Sequence, residues 1–479
     1  LAATLFTRIL EYDAMFQRKL SRIETAALSV AVIAMTVGMS LNTPFIAGPA
    51  GAAVPLVFII STIGVLCIAC SFVRLSSRVS HAGSVYGLIR FAQGRSVGFI
   101  AGWALLLTYA LFVPAALCGF GVFAAMLLSG VHIPWIFYSL LCGVVVWFTN
   151  DRDIKLSARL LLMIEGVSIA LITLVSIVIF IKQPLTLEPF KLGSAGLVGF
   201  SQGLVFGIMT FVGFEAAASL GEEAKHPARD VPFAIIATVI AAGLFFTFVS
   251  YAQTIGYGVA NISALASAAT PMNDLATRFL GSTATMAIEL CCAVSTFAMA
   301  LGSAAASSRL LLALSRDGFF TPKLVSLNRF GSPAFAGNLI MALNFVILIA
   351  LVIWHNNASD LYGYTSTVAT FTVIIAYGMM AVATLTKFWR EDLAAGKLYL
   401  TALPAVGIVL LAYTLFVNIY PVPAFPFNVL PYIVVAYMVV GFVILAKVRK
   451  AEIQGDISSY VVGQNGLPAA ESTNFQAGE

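Results

Sequence analysis

Apolar runs of roughly 20 residues, the length at which a helix crosses a hydrocarbon core, recur along the whole chain, and no other feature restricts its fold as much. Short charged or Pro/Gly-containing connections separate them. With 60% hydrophobic and 10% charged residues over 479 positions, the chain has too little polar side chain to clothe a soluble surface, so most of it faces lipid. Backbone groups in lipid must bond internally, which admits helices and closed barrels. The alternating ten-residue strands of a barrel do not occur, so the expected fold is an all-α membrane protein. Twelve spans are read at 26–47, 52–73, 97–127, 133–150, 157–181, 198–220, 231–255, 284–314, 335–354, 360–386, 398–419 and 427–448.

With a cytoplasmic N-terminus, 23 of the 26 Lys and Arg residues fall on the cytoplasmic side, leaving Lys182, Lys191 and Arg278 outside. That bias sets the orientation. The net charge of +5 is this asymmetry, spread over seven segments, and it excludes nucleic acid as a partner. Cys67, Cys70, Cys118, Cys142, Cys291 and Cys292 all lie in spans, where they pack as small apolar residues. Residues 1–25 carry Arg18, Lys19 and Arg22 and lack the pattern of a cleaved signal, so they read as a cytoplasmic segment. Residues 449–479 read as a polar cytoplasmic tail. Between them lie a core at 26–386, divisible into 26–181 and 198–386, and two additional helices at 398–448.

Span 1 contains Gly38-Met39-Ser40-Leu41-Asn42-Thr43-Pro44, which disfavours a continuous helix. Span 6 carries Gly199, Gly203 and Gly207 at helical spacing, then Phe211-Val212-Gly213-Phe214-Glu215. Helices interrupted at matching places of two halves point to a transporter's midplane site, because broken turns turn N–H and C=O groups toward a ligand. An odd number of helices per half makes the halves inverted repeats. The alternative, close helix packing on small residues, suits Gly199, Gly203 and Gly207, whereas Gly38 and Gly213 sit beside Asn42 and Glu215 and suit a site.

The stretch Phe214-Glu215-Ala216-Ala217-Ala218-Ser219-Leu220-Gly221-Glu222-Glu223-Ala224-Lys225-His226-Pro227-Ala228-Arg229-Asp230-Val231-Pro232 resembles the span 6 and loop signature of the amino acid/polyamine/organocation superfamily. His81-Ala82-Gly83-Ser84-Val85-Tyr86 and Ser315-Arg316-Asp317-Gly318 are similar to two further loops of that superfamily. The resemblance covers about residues 25–450. It implies a LeuT-like fold of two inverted five-helix repeats with helices 1 and 6 broken, plus two extra helices, working by alternating access. It also implies that backbone groups around Gly38, Met39, Ser40 and Asn42 hold a substrate carboxylate, as N–H groups at a half-helix start favour an anion. Many relatives have a glycine pair there, and Gly38-Met39-Ser40-Leu41 departs from it. The turn Phe211, Val212, Gly213 and Phe214 would face an amino group, with Phe211 or Phe214 as aromatic cover. Tyr109 of span 3 would close the site from the side; the alternative is a packing tyrosine with one hydrogen bond.

Glu165, Glu215 and Glu289 lie within spans, where an acid is expensive unless paired, hydrated or protonated. By resemblance, Glu215 is the proton-sensing residue or a tether for the inner half-helix. Glu165 and Glu289 are coupling residues or simply snorkel or pair. Some relatives place a sodium-replacing Lys in span 5; here that slot falls on Ser168. The expected coupling ion is therefore H+ through Glu215 or Glu165, with Na+ on hydroxyls and carbonyls of spans 1 and 8, including Ser303 and Ser307, as the alternative.

No P-loop or H-E-x-x-H occurs, and Gly119-Phe120-Gly121-Val122-Phe123-Ala124 lies inside span 3 without the strand that a dinucleotide site requires. Four histidines without paired spacing give no metal centre. The expected function is secondary transport of amino acids without a cofactor, in a bacterial inner membrane. A polyamine or organic amine carrier and an amino acid exchanger are alternatives. A channel or a solute sensor is the alternative from another class.

Overall fold

The computed structural model describes residues 21–79, 85–152, 154–219, 224–328 and 330–448. The expected N-terminal segment up to residue 20, the tail 449–479 and the motif residues 81–84 and 220–223 lie outside them. The regular elements are helices. They are α1 (Arg22–Ile33), α2 (Thr43–Ala50), α3 (Val54–Ser76), α4 (Val85–Gln93), α5 (Arg95–Leu127), α6 (Trp135–Asn150), α7 (Ile154–Lys182) and α8 (Gly196–Met209). The second half comprises α9 (Pro227–Tyr257), α10 (Pro271–Leu280), α11 (Ser282–Arg316), α12 (Ala334–Trp354), α13 (Ala358–Ala394), α14 (Tyr399–Val417) and α15 (Leu430–Lys447).

Among the described residues, nine helical stretches are long and apolar enough to cross a membrane, the first of them Met35–Ser76. Gly51, at φ +60, separates α2 from α3 within that stretch. The apolar helices α6 and α8 are shorter. Val406, Val409 and Phe416 on α14 and Val435, Val439 and Phe442 on α15 are exposed, an apolar face suited to lipid.

Tight helix contacts rest on small residues. A Cβ on Gly199 would stand 2.2 Å from the Pro49 carbonyl oxygen, and one on Gly207 would stand 2.3 Å from Ser61 Oγ. These glycines let α8 lie against spans 1 and 2, the packing role read for them. The central pair is α5 and α11, flanked by α13 against α5 and α7 against α11.

Span 1 is interrupted earlier than its sequence suggests. α1 ends at Ile33, and Ala34 takes φ 50, the one positive φ outside glycine among the described residues. The chain resumes as helix at Met35–Val37, and Gly38–Asn42 forms a π-helical turn rather than a break. Pro44 lacks an N–H, and its ring would crowd the carbonyl one turn earlier, so a single wider turn absorbs it. Span 6 breaks where expected: α8 stops at Met209, residues 211–215 are non-helical with Gly213 at φ 112, and helix returns at Ala216–Ser219.

Side-chain ties brace the scaffold. Arg74 on α3 donates to both oxygens of Asp392 on α13 at 2.7 Å, and Thr401 of α14 donates to the same carboxylate at 2.7 Å. Arg22 pairs with Asp230 on α9 at 3.3 Å. Trp103 on α5 and Tyr437 on α15 form a reciprocal clasp: each side chain donates to the other residue's carbonyl at 2.9 Å, and the rings stack 4.5 Å apart. A Cβ on Gly441 would stand 2.3 Å from Trp103, so its absence admits the indole.

Candidate functional site

The two interruptions meet in the middle of the bundle. Ala34, Gly38 and Asn42 of span 1 and Thr210, Val212 and Gly213 of span 6 line a chamber closed by Tyr109 and Phe112 of α5, Met299 and Ser303 of α11 and Tyr362 of α13. It measures about 20 Å³, room for about one water molecule. Its lining is apolar or neutral, with hydroxyls and one amide as polar groups.

Asn42 ties three spans together. Its Nδ2 donates to Thr210 Oγ1 at 2.9 Å, and its Oδ1 accepts from Tyr362 OH at 2.7 Å. Gly38 sits where a Cβ would meet Thr210 Cγ2 at 2.5 Å, so spans 1 and 6 touch through the missing side chain. Phe45 of α2 also stacks on Phe206 of α8 at 4.9 Å, a second contact between the two spans.

Glu215 lies behind Tyr109 rather than in the chamber. Its Oε1 accepts from Tyr109 OH at 2.6 Å, while its Oε2 accepts from Tyr377 OH at 2.5 Å and Gly213 N–H at 2.9 Å. One buried carboxylate thus joins the span 6 break to α5 and α13. Its partners are all donors, so a proton on the acid would compete directly with one of these bonds.

Glu165 performs a comparable task at the span 1 interruption. Its Oε1 accepts from the Thr36 N–H and the Thr36 hydroxyl, both at 3.0 Å. Thr36 follows the left-handed Ala34 by two residues, so an acid from α7 caps a helix start in span 1.

The predicted residues divide. Gly38, Asn42, Tyr109, Val212, Gly213 and Ser303 line the chamber, and Glu215 stands directly behind it. Met39 and Ser40 point elsewhere: the Met39 carbonyl accepts from Gln253 at 2.7 Å, and Ser40 Oγ contacts Cys292 Sγ at 3.2 Å. Phe211 packs on Phe246 at 5.1 Å, and Phe214 lies between Phe72 and Tyr377 at 5.3 Å from each, so neither covers the chamber. Tyr109, Phe112 and Tyr362 supply its aromatic walls instead. Ser168 is buried on α7. Ser307 donates back to the Ser303 and Ala304 carbonyls, the alternative to an ion-holding role. Sequence reasoning missed Thr36, Thr210, Tyr362 and Tyr377; only Thr210, just ahead of the span 6 break, carries a local signal.

Broken helices that meet at a closed chamber inside a lipid-faced bundle define a membrane carrier. The chain belongs to the amino acid permease family, which it matches over residues 20–446, and it is a transporter of the amino acid/polyamine/organocation superfamily, not an enzyme. It is 25% identical to the branched-chain amino acid permease BcaP of Lactococcus lactis, over 81% of this chain and 92% of that one. It is 24% identical to the low-affinity putrescine importer PlaP of Escherichia coli, over 78% of this chain and 83% of that one. A crystal structure of the Eremococcus coleocola manganese transporter shares the fold at a TM-score of 0.56 and 11% identity, covering 88% of this chain and 94% of the other.

Proposed function

We propose that this permease carries neutral aliphatic amino acids by alternating access, coupled to protons. The carrying observation is the chamber lining: Val37, Phe112, Met209, Val212 and Met299 offer an apolar pocket beside Asn42, Thr210 and Tyr362, and no charged side chain lines it. The chemistry of these walls suits a branched apolar side chain once the chamber widens beyond its present single-water volume, while Asn42 and neighbouring backbone of spans 1 and 6 serve the substrate's polar end. The branched-chain permease among its relatives supports this reading. An amine substrate is the second reading, favoured by the aromatic walls Tyr109, Phe112 and Tyr362 and by the putrescine importer.

Twelve spans fit this reading, with α14 and α15 added to two inverted repeats at 26–181 and 198–386. Contacts between helices support the inversion: α3 lies on α9 and α5 on α11, the α5–α13 contact has its counterpart in α11–α7, and α1–α9 has its counterpart in α8–α3. Both termini are cytoplasmic in this scheme, and the bacterial relatives suit an inner membrane.

Coupling runs through Glu215. Protonation removes acceptor capacity from a group holding three donors, which loosens the inner half of span 6 from α5 and α13. The test is leucine and putrescine uptake into proteoliposomes under an imposed proton gradient and, separately, a sodium gradient. Proton-driven leucine accumulation is expected in the parent, with pH dependence abolished in Glu215→Gln. Unchanged pH dependence in that variant removes Glu215 from coupling, and accumulation of putrescine alone replaces the substrate.

A further inference from the structure

Three buried polar side chains outside the chamber sit in one region of the bundle: Gln253 of α9, whose Oε1 has no hydrogen-bond partner, Asn273 of α10 and Ser295 of α11. Gln253 holds the Met39 carbonyl through its Nε2. α10 packs against the π-helical turn at Gly38–Asn42, against α9 and against α11. Asn273 is placed to donate to the partly exposed Glu289 of α11, and Ser295 to donate to Glu165. Between the two acids, the Cys292 thiol lies within electrostatic range of both and touches Ser40 Oγ at 3.2 Å.

Glu289, Cys292 and Ser295 follow one another at three-residue spacing, so they form one stripe along α11. The stripe advances about 9 Å along the helix axis from Glu289 to Ser295. Asn273 and Ser295, each beside one acid, thus stand about two helical turns apart, a spacing that bridging waters can span. Gln253 Oε1, which has no partner, and the remaining capacity of the Asn273 amide are groups that hold such waters inside a protein.

We infer that Glu289, Asn273, Gln253 and Ser295 form a hydrated proton route from the outer part of α11 to Glu165, separate from the substrate chamber. This rests on the proton-coupled reading above and gives the coupled proton a second site, Glu165, whose occupancy must accompany that of Glu215. A proton taken up at the Glu289 carboxyl passes along the stripe to Glu165, where it competes with Thr36 for the carboxylate oxygen and releases the cap on span 1; it leaves to water on the inner side when Glu165 deprotonates and the Thr36 bonds re-form, so only O–H bonds are made and broken. Cys292 is the titratable group between the acids. Charged groups on the surrounding elements are engaged elsewhere: Asp274 with Tyr257 OH, Arg278 with the Gly256 carbonyl, Lys182 with the Phe279 carbonyl and, across the chamber, Glu215 with Tyr109.

The test uses the full chain in proteoliposomes, with leucine and a trapped pH dye. It compares the parent, Glu289→Gln, Glu289→Asp and Gln253→Leu. In Glu289→Gln and Gln253→Leu, leucine-dependent proton influx falls by about tenfold or more, while in Glu289→Gln leucine counterflow at equal pH stays within about twofold of the parent. Glu289→Asp, which keeps a carboxyl, restores proton influx. Parental influx in Glu289→Gln overturns the route, as does loss of counterflow together with influx, which assigns Glu289 a structural role. Absence of leucine-dependent proton influx in the parent instead overturns the coupling reading itself.

Discussion

Tyr109 and Tyr377 come from helices far apart in the chain, yet both hydroxyls end on Glu215. Each hydrogen bond to a carboxylate contributes about 1.5–3 kcal/mol. Tyr377→Phe should therefore lower thermal stability in detergent and raise uncoupled proton leak. Tyr109→Phe should do the same, and the double variant should cost less than the sum, because all three groups share one network. Differential scanning fluorimetry with leak assays checks both. Ala34 offers a cleaner residue-scale test. A left-handed alanine costs about 1–2 kcal/mol, partly offset by glycine's greater freedom in the unfolded chain. Ala34→Gly is expected to raise the melting temperature modestly, and a lowered one would refute the strain argument. Glu215 and Asn42 were legible as candidates because an acid or amide at membrane depth needs a reason to be there. Their partners were not: Tyr362 lies 320 positions from Asn42 and Tyr377 lies 162 from Glu215, and nothing local in either tyrosine announces those contacts.

Helices carry the next set of constraints. Span lengths were readable because bilayer thickness sets them, and the span 6 break was readable because Gly213 must take φ 112. The span 1 break was misplaced by a few residues, since Ala34 has no breaking propensity and owes its conformation to Glu165 holding Thr36 from another helix. Gly38, which reads as a breaker, acts instead as a contact surface. Gly38→Ala should push span 1 off Thr210 and cost about 1–3 kcal/mol from overpacking, with transport falling while expression persists. Thr210→Ser removes the obstructing methyl and keeps the hydroxyl that Asn42 needs. Recovery of uptake in Gly38→Ala/Thr210→Ser is the expected result, and a double variant no better than Gly38→Ala would mean that the contact is not the reason for the glycine.

At the scale of the whole molecule, basic residues set the orientation, and the thiols allow it to be checked. Cys67, Cys118, Cys142, Cys291 and Cys292 are buried and Cys70 is half-buried, so a membrane-impermeant maleimide should leave the parent largely unlabelled. Ser263→Cys, exposed between α9 and α11, should label from outside intact cells, and Lys323→Cys only after permeabilisation. The reverse pattern would invert the topology. Neither the pairing of α5 with α11 nor the seat of the last helix was readable in the sequence. There the Trp103–Tyr437 clasp has a mechanical consequence: it binds α15 to α5 at two carbonyls and a ring face, so α15 must follow α5 in any movement of the bundle. Anything attached beyond Lys447, a fluorophore or a surface tether alike, would therefore report the position of α5 rather than that of spans 1 and 6.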